Sequence, residues 1–346
     1  MKFINVKNGE ILSFLEQYKK EDRSVLPIST LRANSFYNNP KASNEDVVLV
    51  LAYKNDQLVG FIGFLPDYLQ GDPTKKFAWN SGWWIDENKG RDIAIPLLLY
   101  GMKQWNNMVG FIDLPYHSFN ILNTLRLIDV LGVDSGVKYV LRPYLPNSNV
   151  LQCFFSLLPG IIPSWLLNSK VDTSFSLVRE LTNDMEYFIA ENQKNTFAKD
   201  RNDFEWIKNF PWLSTQDNYI NEQKKYPFSL VTSSFCLNYF KIEINKEVVS
   251  VGLIKERDGH YYLPFLYLNE KYIKSVLIDI VSHIIKSGGL SLYIYNSVFN
   301  EVLGETVIKY LPQKEVFQKT AFTKDFIKLW GAQINCQDGD GDAVFA

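Results

Sequence analysis

Residues 79–115 read WNSGWWIDENKGRDIAIPLLLYGMKQWNNMVGFIDLP, and the order of signals in this stretch decides the fold. Phe77 to Ile85 has the aromatic and apolar content of a strand. Asn88-Lys89-Gly90-Arg91-Asp92 is a basic turn with one glycine, Ile93 to Trp105 has helical spacing, and Val109 to Leu114 is a second strand. A strand that feeds a helix through such a turn points the first helical N–H groups and the positive dipole end toward an anion. It is the one phosphate-cradle candidate in the sequence.

Composition limits what this stretch can serve. The chain has 346 residues, 46% of them hydrophobic, which is long for one domain and sufficient for the cores of two. Lysine and arginine total 36 against 38 acidic residues, so no global field argues for a nucleic-acid partner. Cys153, Cys236 and Cys336 are far apart, with no C-x-x-C and no histidine nearby, which suggests neither a disulfide framework nor a metal site. The first fifteen residues lack a signal-peptide core, and a cytoplasmic location is expected. Val150 to Leu167 is apolar, but Pro159-Gly160 and Pro163 interrupt it, whereas roughly 20 unbroken residues are needed to span a bilayer. We read it as a buried linker; a membrane-surface or acyl-chain contact aided by Trp165 is the alternative.

Taken in order, the chain tells one story twice. Met1–Val6 is a strand, Ile11–Lys19 and Ile28–Phe36 are helices, and Val47–Tyr53 and Leu58–Leu65 form a hairpin around Lys54-Asn55-Asp56-Gln57. The focal stretch follows, then a helix over Ser118–Leu131 capped at Gly132 and a strand over Val137–Arg142. From Asp172 the order repeats. Phe175–Glu180 is a strand, Asp184–Asn192 and Asp203–Phe210 are helices, and Phe235–Ile244 with Val248–Ile254 is a hairpin. Tyr261–Leu268 matches the focal strand, Ile273 to Ile284 form one apolar helix face ending at Gly288-Gly289, Leu290–Tyr295 is a strand, and Ser297–Leu311 is a helix. The expected organisation is a first domain over 1–146, an apolar linker over 147–171, a second domain over 172–331 and a flexible acidic tail over 332–346. Two similarly ordered halves imply a tandem duplication.

The Val47–Leu65 hairpin, Trp83-Trp84-Ile85 leading into Lys89-Gly90-Arg91-Asp92-Ile93-Ala94, and Leu131-Gly132-Val133 before the last strand together resemble the GNAT acyltransferase superfamily. The likeness covers Met1 to about Leu145 and, more weakly, Asp172 to about Leu329. It implies an α/β (α+β) fold of two tandem GNAT-like domains, each a mixed, largely antiparallel sheet flanked by helices. A tandem pair also resembles N-myristoyltransferase, mycothiol synthase and the Fem-type peptidyl transferases. In the family the basic turn reads Arg/Gln-x-x-Gly-x-Gly/Ala and grips the pyrophosphate of coenzyme A. The resemblance therefore implies a site for acetyl-CoA or another acyl-CoA, used as substrate, at Ile85, Lys89, Gly90, Arg91, Asp92, Ile93 and Ala94, with no metal.

Asp92 departs from that pattern, standing where the family has its first glycine. Pointed at a pyrophosphate it would oppose binding; as an N-cap it would occupy the helical amides a phosphate needs. The second half's turn, Asn269-Glu270-Lys271-Tyr272, has no glycine and one base, and we read that half as structural. Arg201, Asp203 and Trp206 could wall a cleft, although Trp206 at helical spacing with Ile207 and Phe210 reads as core.

In the reaction that the resemblance implies, an amine attacks a thioester, which requires a proton acceptor and a donor near the developing oxyanion. The polar groups nearest the family's site are Asn80 on the focal strand and Tyr116 and His117 beyond the next one. His117 is the candidate base because imidazole titrates near neutral pH, and Tyr116 the candidate donor to a leaving thiolate. Ordinary packing is the competing reading of each. The expected function is acyl transfer to a small-molecule amine, with an amino sugar or surface-polymer precursor suggested by the aromatics, which are 15% of residues. The alternatives are a catalytically silent GNAT-like scaffold, which Asp92 favours, and a Fem-type aminoacyl transferase, which the near-neutral charge does not. Asp338-Gly339-Asp340-Gly341-Asp342 has the opening rhythm of a calcium loop, but lacks its central glycine and its last glutamate, and reads as a frayed tail.

Overall fold

The computed structural model describes residues 1–21, 23–112, 116–142, 171–331 and 333–345, without the side chains of 116–117 and 130–134. The expected linker, with Val150–Leu167, falls outside the described residues except for Val171. The first half runs β1 (Lys2–Lys7), α1 (Ile11–Lys20), α2 (Thr30–Tyr37), β2 (Val47–Lys54), β3 (Gln57–Leu69), β4 (Asp72–Ile85), α3 (Ala94–Gln104), β5 (Val109–Phe111), α4 (Tyr116–Thr124) and β6 (Ile128–Val140). The second runs β7 (Thr173–Val178), α5 (Asn183–Asn192), α6 (Arg201–Asn209), α7 (Ile220–Gln223), β8 (Phe235–Ile244), β9 (Glu247–Arg257), β10 (His260–Leu268), α8 (Ile273–Lys286), β11 (Ser291–Ile294), α9 (Ser297–Gly304), β12 (Gln313–Thr323) and α10 (Lys324–Trp330).

Turn chemistry fixes the hairpins. Asn55 and Asp56 between β2 and β3, and Asn245 and Lys246 between β8 and β9, all have φ between 51° and 69°. Positive φ at both central residues matches the right-handed twist of the flanking strands. Behind the sheet, α8 buries Val276, Leu277, Ile280, Val281 and Ile284 against the second half, and α3 buries Leu97, Leu98 and Met102 against the first. A third core, containing residues of α1, α2, α5 and α6, draws on both halves.

The two sheets are one. Its twelve strands run β1-β2-β3-β4-β5-β12-β6-β11-β10-β9-β8-β7, with β4/β5 and β10/β11 the parallel pairs. β12 lies against β5 of the first half, and β6 against β11 of the second, so each half receives its neighbour's last strand. The expected helix over Ser118–Leu131 therefore stops at Thr124, and Gly132, expected as its cap, is a strand residue opposite Thr320. Pairing along the whole of β12 outweighs the local helical spacing. Likewise the helix expected over Ser297–Leu311 ends at Gly304, and the Thr306 hydroxyl accepts from the Ile308 N–H to start a separate short turn.

The C-terminal segment corrects the expectation of a flexible, frayed acidic tail. Residues 333–345 form a strap across the junction of the halves. The Thr196 N–H donates to the Asn335 carbonyl and the Asn335 N–H to the Thr196 hydroxyl, and Phe345 is fully buried, stacked on Trp212 at 4.6 Å and 10° and edge-on to Trp206. The apolar end Ala343-Val344-Phe345 drives the docking, and the acidic residues before it find partners inside.

Those partners form a buried charge cluster. Asp67 of β3 accepts from Lys41 (2.7 Å), from Lys199 (3.0 Å) and from the Trp79 indole N–H (3.0 Å). Lys41 also reaches Asp203 of α6 at 3.2 Å, and Lys199 reaches Asp340 of the strap at 3.8 Å. Burial alone would raise the Asp67 carboxyl, but Lys199 and Lys41 outweigh it and hold it well below the usual carboxylate range. Burial raises Asp203 and pushes Asp340 up to about 7, because two ammonium groups cannot fully offset three carboxylates.

Two outcomes follow. Phe345→Ala should cost about 3–5 kcal/mol in urea unfolding, the range for emptying a fully buried aromatic site; a loss under about 1 kcal/mol would show that the strap does not support the core. Asp340, raised above its ordinary 3.8, holds its proton more tightly in the folded chain. Its contribution is complete below that value and is lost as pH rises through about 7. At about 1.4 kcal/mol per pH unit, the stability of the native chain relative to Asp340→Asn should fall by roughly 2 kcal/mol between pH 5.5 and 7.5. A difference that stays flat over that range sinks the assignment.

Candidate functional site

Strands β4 and β5 pair over only two positions, Ala78 with Val109 and Trp79 with Gly110, and then part. The parting is built into β4. Its register against β3 shifts between Ile62 and Phe64, and Gly82 takes φ +81° where an added Cβ would lie 2.9 Å from the Arg32 guanidinium. Only glycine meets both conditions cheaply. In the second half β10 and β11 pair over three positions, ending at Tyr262 with Tyr293, and also part.

The two gaps have different fates. The strap fills the second: Leu266 N–H donates to the Gln337 side chain (2.7 Å), Gly339 N–H donates to the Pro264 carbonyl (2.8 Å), and Tyr295 N–H donates to Asp338 (3.3 Å). The first opens into a cleft of about 510 Å³ at the junction of the halves. Asn80, Gly82, Trp83, Ile112 and Ser118 line it from the first half, and Lys255, Arg257, Tyr262, Tyr293 and Tyr295 from the second. Arg32, Trp212, Tyr226 and Phe228 form another wall, with Asp338 and Asp342 of the strap.

One network fixes that wall. Ser29 caps α2 by accepting from the Arg32 N–H, which sets Arg32 at the cleft. Its guanidinium lies 3.9 Å from the centre of the Trp212 ring and donates to the Tyr226 hydroxyl (2.9 Å), Ser81 Oγ (2.8 Å) and Asp342 Oδ2 (3.1 Å). Ser81 Oγ donates to the same Asp342 oxygen at 3.0 Å. The buried cation thus holds a strap carboxylate at the cleft beside the parting strands.

The basic turn is closed on itself. Asp86 accepts from the Asn88 and Lys89 amides through its side chain and from the Gly90 amide through its carbonyl, and the Gly90 carbonyl takes the Ile93 N–H. Gly90 is wedged under β3, where an added Cβ would lie 2.4 Å from the Val59 carbonyl oxygen. Lys89 Nζ donates to Gln57, and exposed Asp92 pairs with Lys54 at 3.1 Å, which lowers its carboxyl pKa. Asp92 caps nothing: α3 begins at Ala94 without a side-chain cap. Tested against the pyrophosphate that the resemblance implies, this arrangement does not fit. The exposed Lys89 and Arg91 supply charge, but protein oxygens hold the Asn88, Lys89, Gly90 and Ile93 amides and the Asp92 carboxylate stands beside them.

The remaining expected residues separate. Asn80 lines the cleft and donates to the Gly63 carbonyl at 3.3 Å, and Ile85 ends β4 beside the turn. The side chains of Tyr116 and His117 lie outside the described residues, although both belong to α4, whose Ser118 lines the cleft. Arg201 pairs with Glu186, Asp203 belongs to the buried cluster, and the Trp206 indole N–H donates to the Ser35 carbonyl, so none of the three reaches the cleft. Arg32 and Asp342 were missed. A cation four residues before Phe36 on a helix face, and an apolar end after an acidic repeat, were the signals available. Among the described residues no group of side chains could hold a metal ion, and no helix is long and apolar enough to cross a membrane.

No protein-family model matches the chain, and no curated protein matches it by sequence. Similarity lies in the fold. A conserved protein of unknown function from Enterococcus faecalis V583, described as a probable N-acyltransferase, superposes with a TM-score of 0.52 at 7% identity, covering 93% of this chain and 73% of its own. A GCN5-related N-acetyltransferase from Anabaena variabilis ATCC 29413 superposes with a TM-score of 0.51 at 10% identity, covering 92% of this chain and 72% of its own. Parting parallel strands in each half, preceded by a hairpin and joined by exchanged strands, give this chain the fold of the GCN5-related N-acetyltransferases.

Proposed function

We propose that the protein transfers an acyl group to an amine in the cleft beside β4 and β5. The observation that carries this reading is the parting of those strands into an open cleft while the strap closes the equivalent gap. The acyl donor is acetyl-CoA or another acyl-CoA, as in the neighbours' fold class; because the closed turn does not fit its pyrophosphate, no step is routed through it. This chain's own contribution lies on the acceptor side. Asp338 and Asp342 put carboxylates at the cleft, and Asp342, fixed by Arg32 and Ser81, can pair with an ammonium. Asn80 has an amide proton beyond its bond to Gly63 for a developing oxyanion. His117 and Tyr116, at the start of α4, are the proposed proton handlers. Trp83, Tyr226 and Phe228 offer apolar faces to a flat acceptor such as an amino sugar.

A second reading, a silent binding protein, draws on the closed turn and the Asp92–Lys54 pair. Calorimetric titration with acetyl-CoA separates the two. Under acyl transfer the native chain binds at micromolar level, and His117→Ala slows turnover of a responsive amine. No binding by the native chain, with binding gained in Asp92→Gly, would end the enzymatic reading.

A further inference from the structure

One rung of side chains crosses the second half's sheet, and its Lys255, Tyr262 and Tyr293 line the same cleft. Lys255 of β9 is in register with Tyr262 of β10, Tyr262 with Tyr293 of β11, and Tyr293 with Lys138 of β6. The two phenol rings stack at 4.6 Å and 12°. Lys255 Nζ lies 4.7 Å from the Tyr262 ring centre and Lys138 Nζ 4.9 Å from that of Tyr293. By strand order the ammonium groups cover the outer faces, leaving the phenol edges and hydroxyls as the surface on offer. Arg257, in register with His260 next along the strands, lines the cleft together with Lys255.

The nearby carboxylates are engaged elsewhere. Asp258 accepts from Thr232 (2.6 Å), from the Ser233 hydroxyl (2.5 Å) and amide (2.9 Å), and from the Ser234 amide, which carry its pKa down to about 2 against burial. Glu256 accepts from the Ser234 hydroxyl and the Gly259 amide. Arg257 Nε is 3.7 Å from Asp258, and Lys138 joins no ion pair among the described residues. The Tyr262 and Tyr293 hydroxyls beside the Lys138 ammonium and the Arg257 guanidinium are a donor set for a carboxylate or phosphate, while Lys255 is already held by the Ala343 carbonyl (2.6 Å).

We propose that this rung is an anion subsite and that the amine acceptor carries a phosphate or carboxylate group held by Tyr262, Tyr293, Lys138 and Arg257. Assigning the anion to the acceptor rests on the acyl-transfer reading; the subsite itself does not. With Asp338 and Asp342 in the same cleft, the lining offers both signs of charge, as a zwitterionic acceptor requires.

The test is calorimetric titration of the full chain with inorganic phosphate and, separately, with acetate, against sodium chloride at matched ionic strength. The native chain should bind at least one anion saturably, the stronger naming the group. Lys138→Met should weaken that binding about tenfold or more, and Tyr262→Phe/Tyr293→Phe several-fold. The double variant keeps the ring stack, so it still decides the matter if Lys138→Met fails to fold. No saturable binding of either anion, or equal binding by native chain and variants, overturns the subsite. Acetyl-CoA that displaces phosphate and is lost with Lys138→Met would give the subsite to the acyl donor, overturning the acceptor assignment. Phosphate binding without any acetyl-CoA binding would also overturn that assignment, leaving the anion subsite standing.

Discussion

The structure depends on how the Asp67 carboxylate is neutralised. It is almost fully buried, and an unpaired carboxylate there would cost several kcal/mol after any relaxation. The partners that prevent this come from separate parts of the chain: Lys41 and Trp79 from the first half, Lys199 from the second, and Asp340 of the strap through Lys199. One buried charge therefore joins both halves, the focal strand and the C-terminal segment. A buried ionic cluster is a weak source of net stability, but here its geometry requires all four parts to be in place at once.

Strand exchange reinforces that requirement. Because β12 lies between β5 and β6, and β6 between β12 and β11, the middle of the sheet belongs to neither half. The cleft opens at this shared centre, with walls drawn from both halves and the strap. The halves repeat the same order of elements, yet the strap breaks their equivalence. It supplies backbone and side-chain partners to β10 and β11 where these part, whereas beside β4 it packs Gly341 against Trp79 and presents the Asp342 carboxylate to Ser81. A repeated fold thereby keeps one open gap, with the second half as its wall.

Much of this was legible in the sequence. Asn55-Asp56 and Asn245-Lys246 marked their hairpins through turn chemistry, and α8 announced itself by a long apolar stripe, since both signals are local. The exchange of β6 and β12 was not legible. Ile128–Val140 contains Asp129, Gly132 and Asp134, which interrupt strand alternation, and its partner lies far along the chain; only non-local pairing reveals it as a strand. The strap was misread because acidic residues alternating with glycine resemble a solvated tail, whereas Asp340 and Phe345 are buried. Of the cleft lining, Asn80 was reached from the order of elements, but Arg32 was not, because its partners Ser81, Tyr226 and Asp342 come from three distant segments.

Charge placement sets the last constraint on function. At the basic turn, Asp86 takes the Asn88, Lys89 and Gly90 amides and Asp92 pairs with Lys54. On the opposite wall of the cleft, Arg257 lies with Tyr262 and Tyr293, Lys138 sits over the Tyr293 ring, and Asp258 and Glu256 are turned to serine, threonine and backbone amides. Burial and then Lys138 lower the His260 pKa, so the imidazole adds no charge of its own near neutral pH. Lys138 joins no ion pair among the described residues and Arg257 meets Asp258 only at 3.7 Å, so a bound anion would relieve the repulsion between these two cations. The capacity to hold negative charge has thus moved away from the turn on which the first half's fold is centred. It lies instead on the wall built by the second half and by the strand that the first half lends to it.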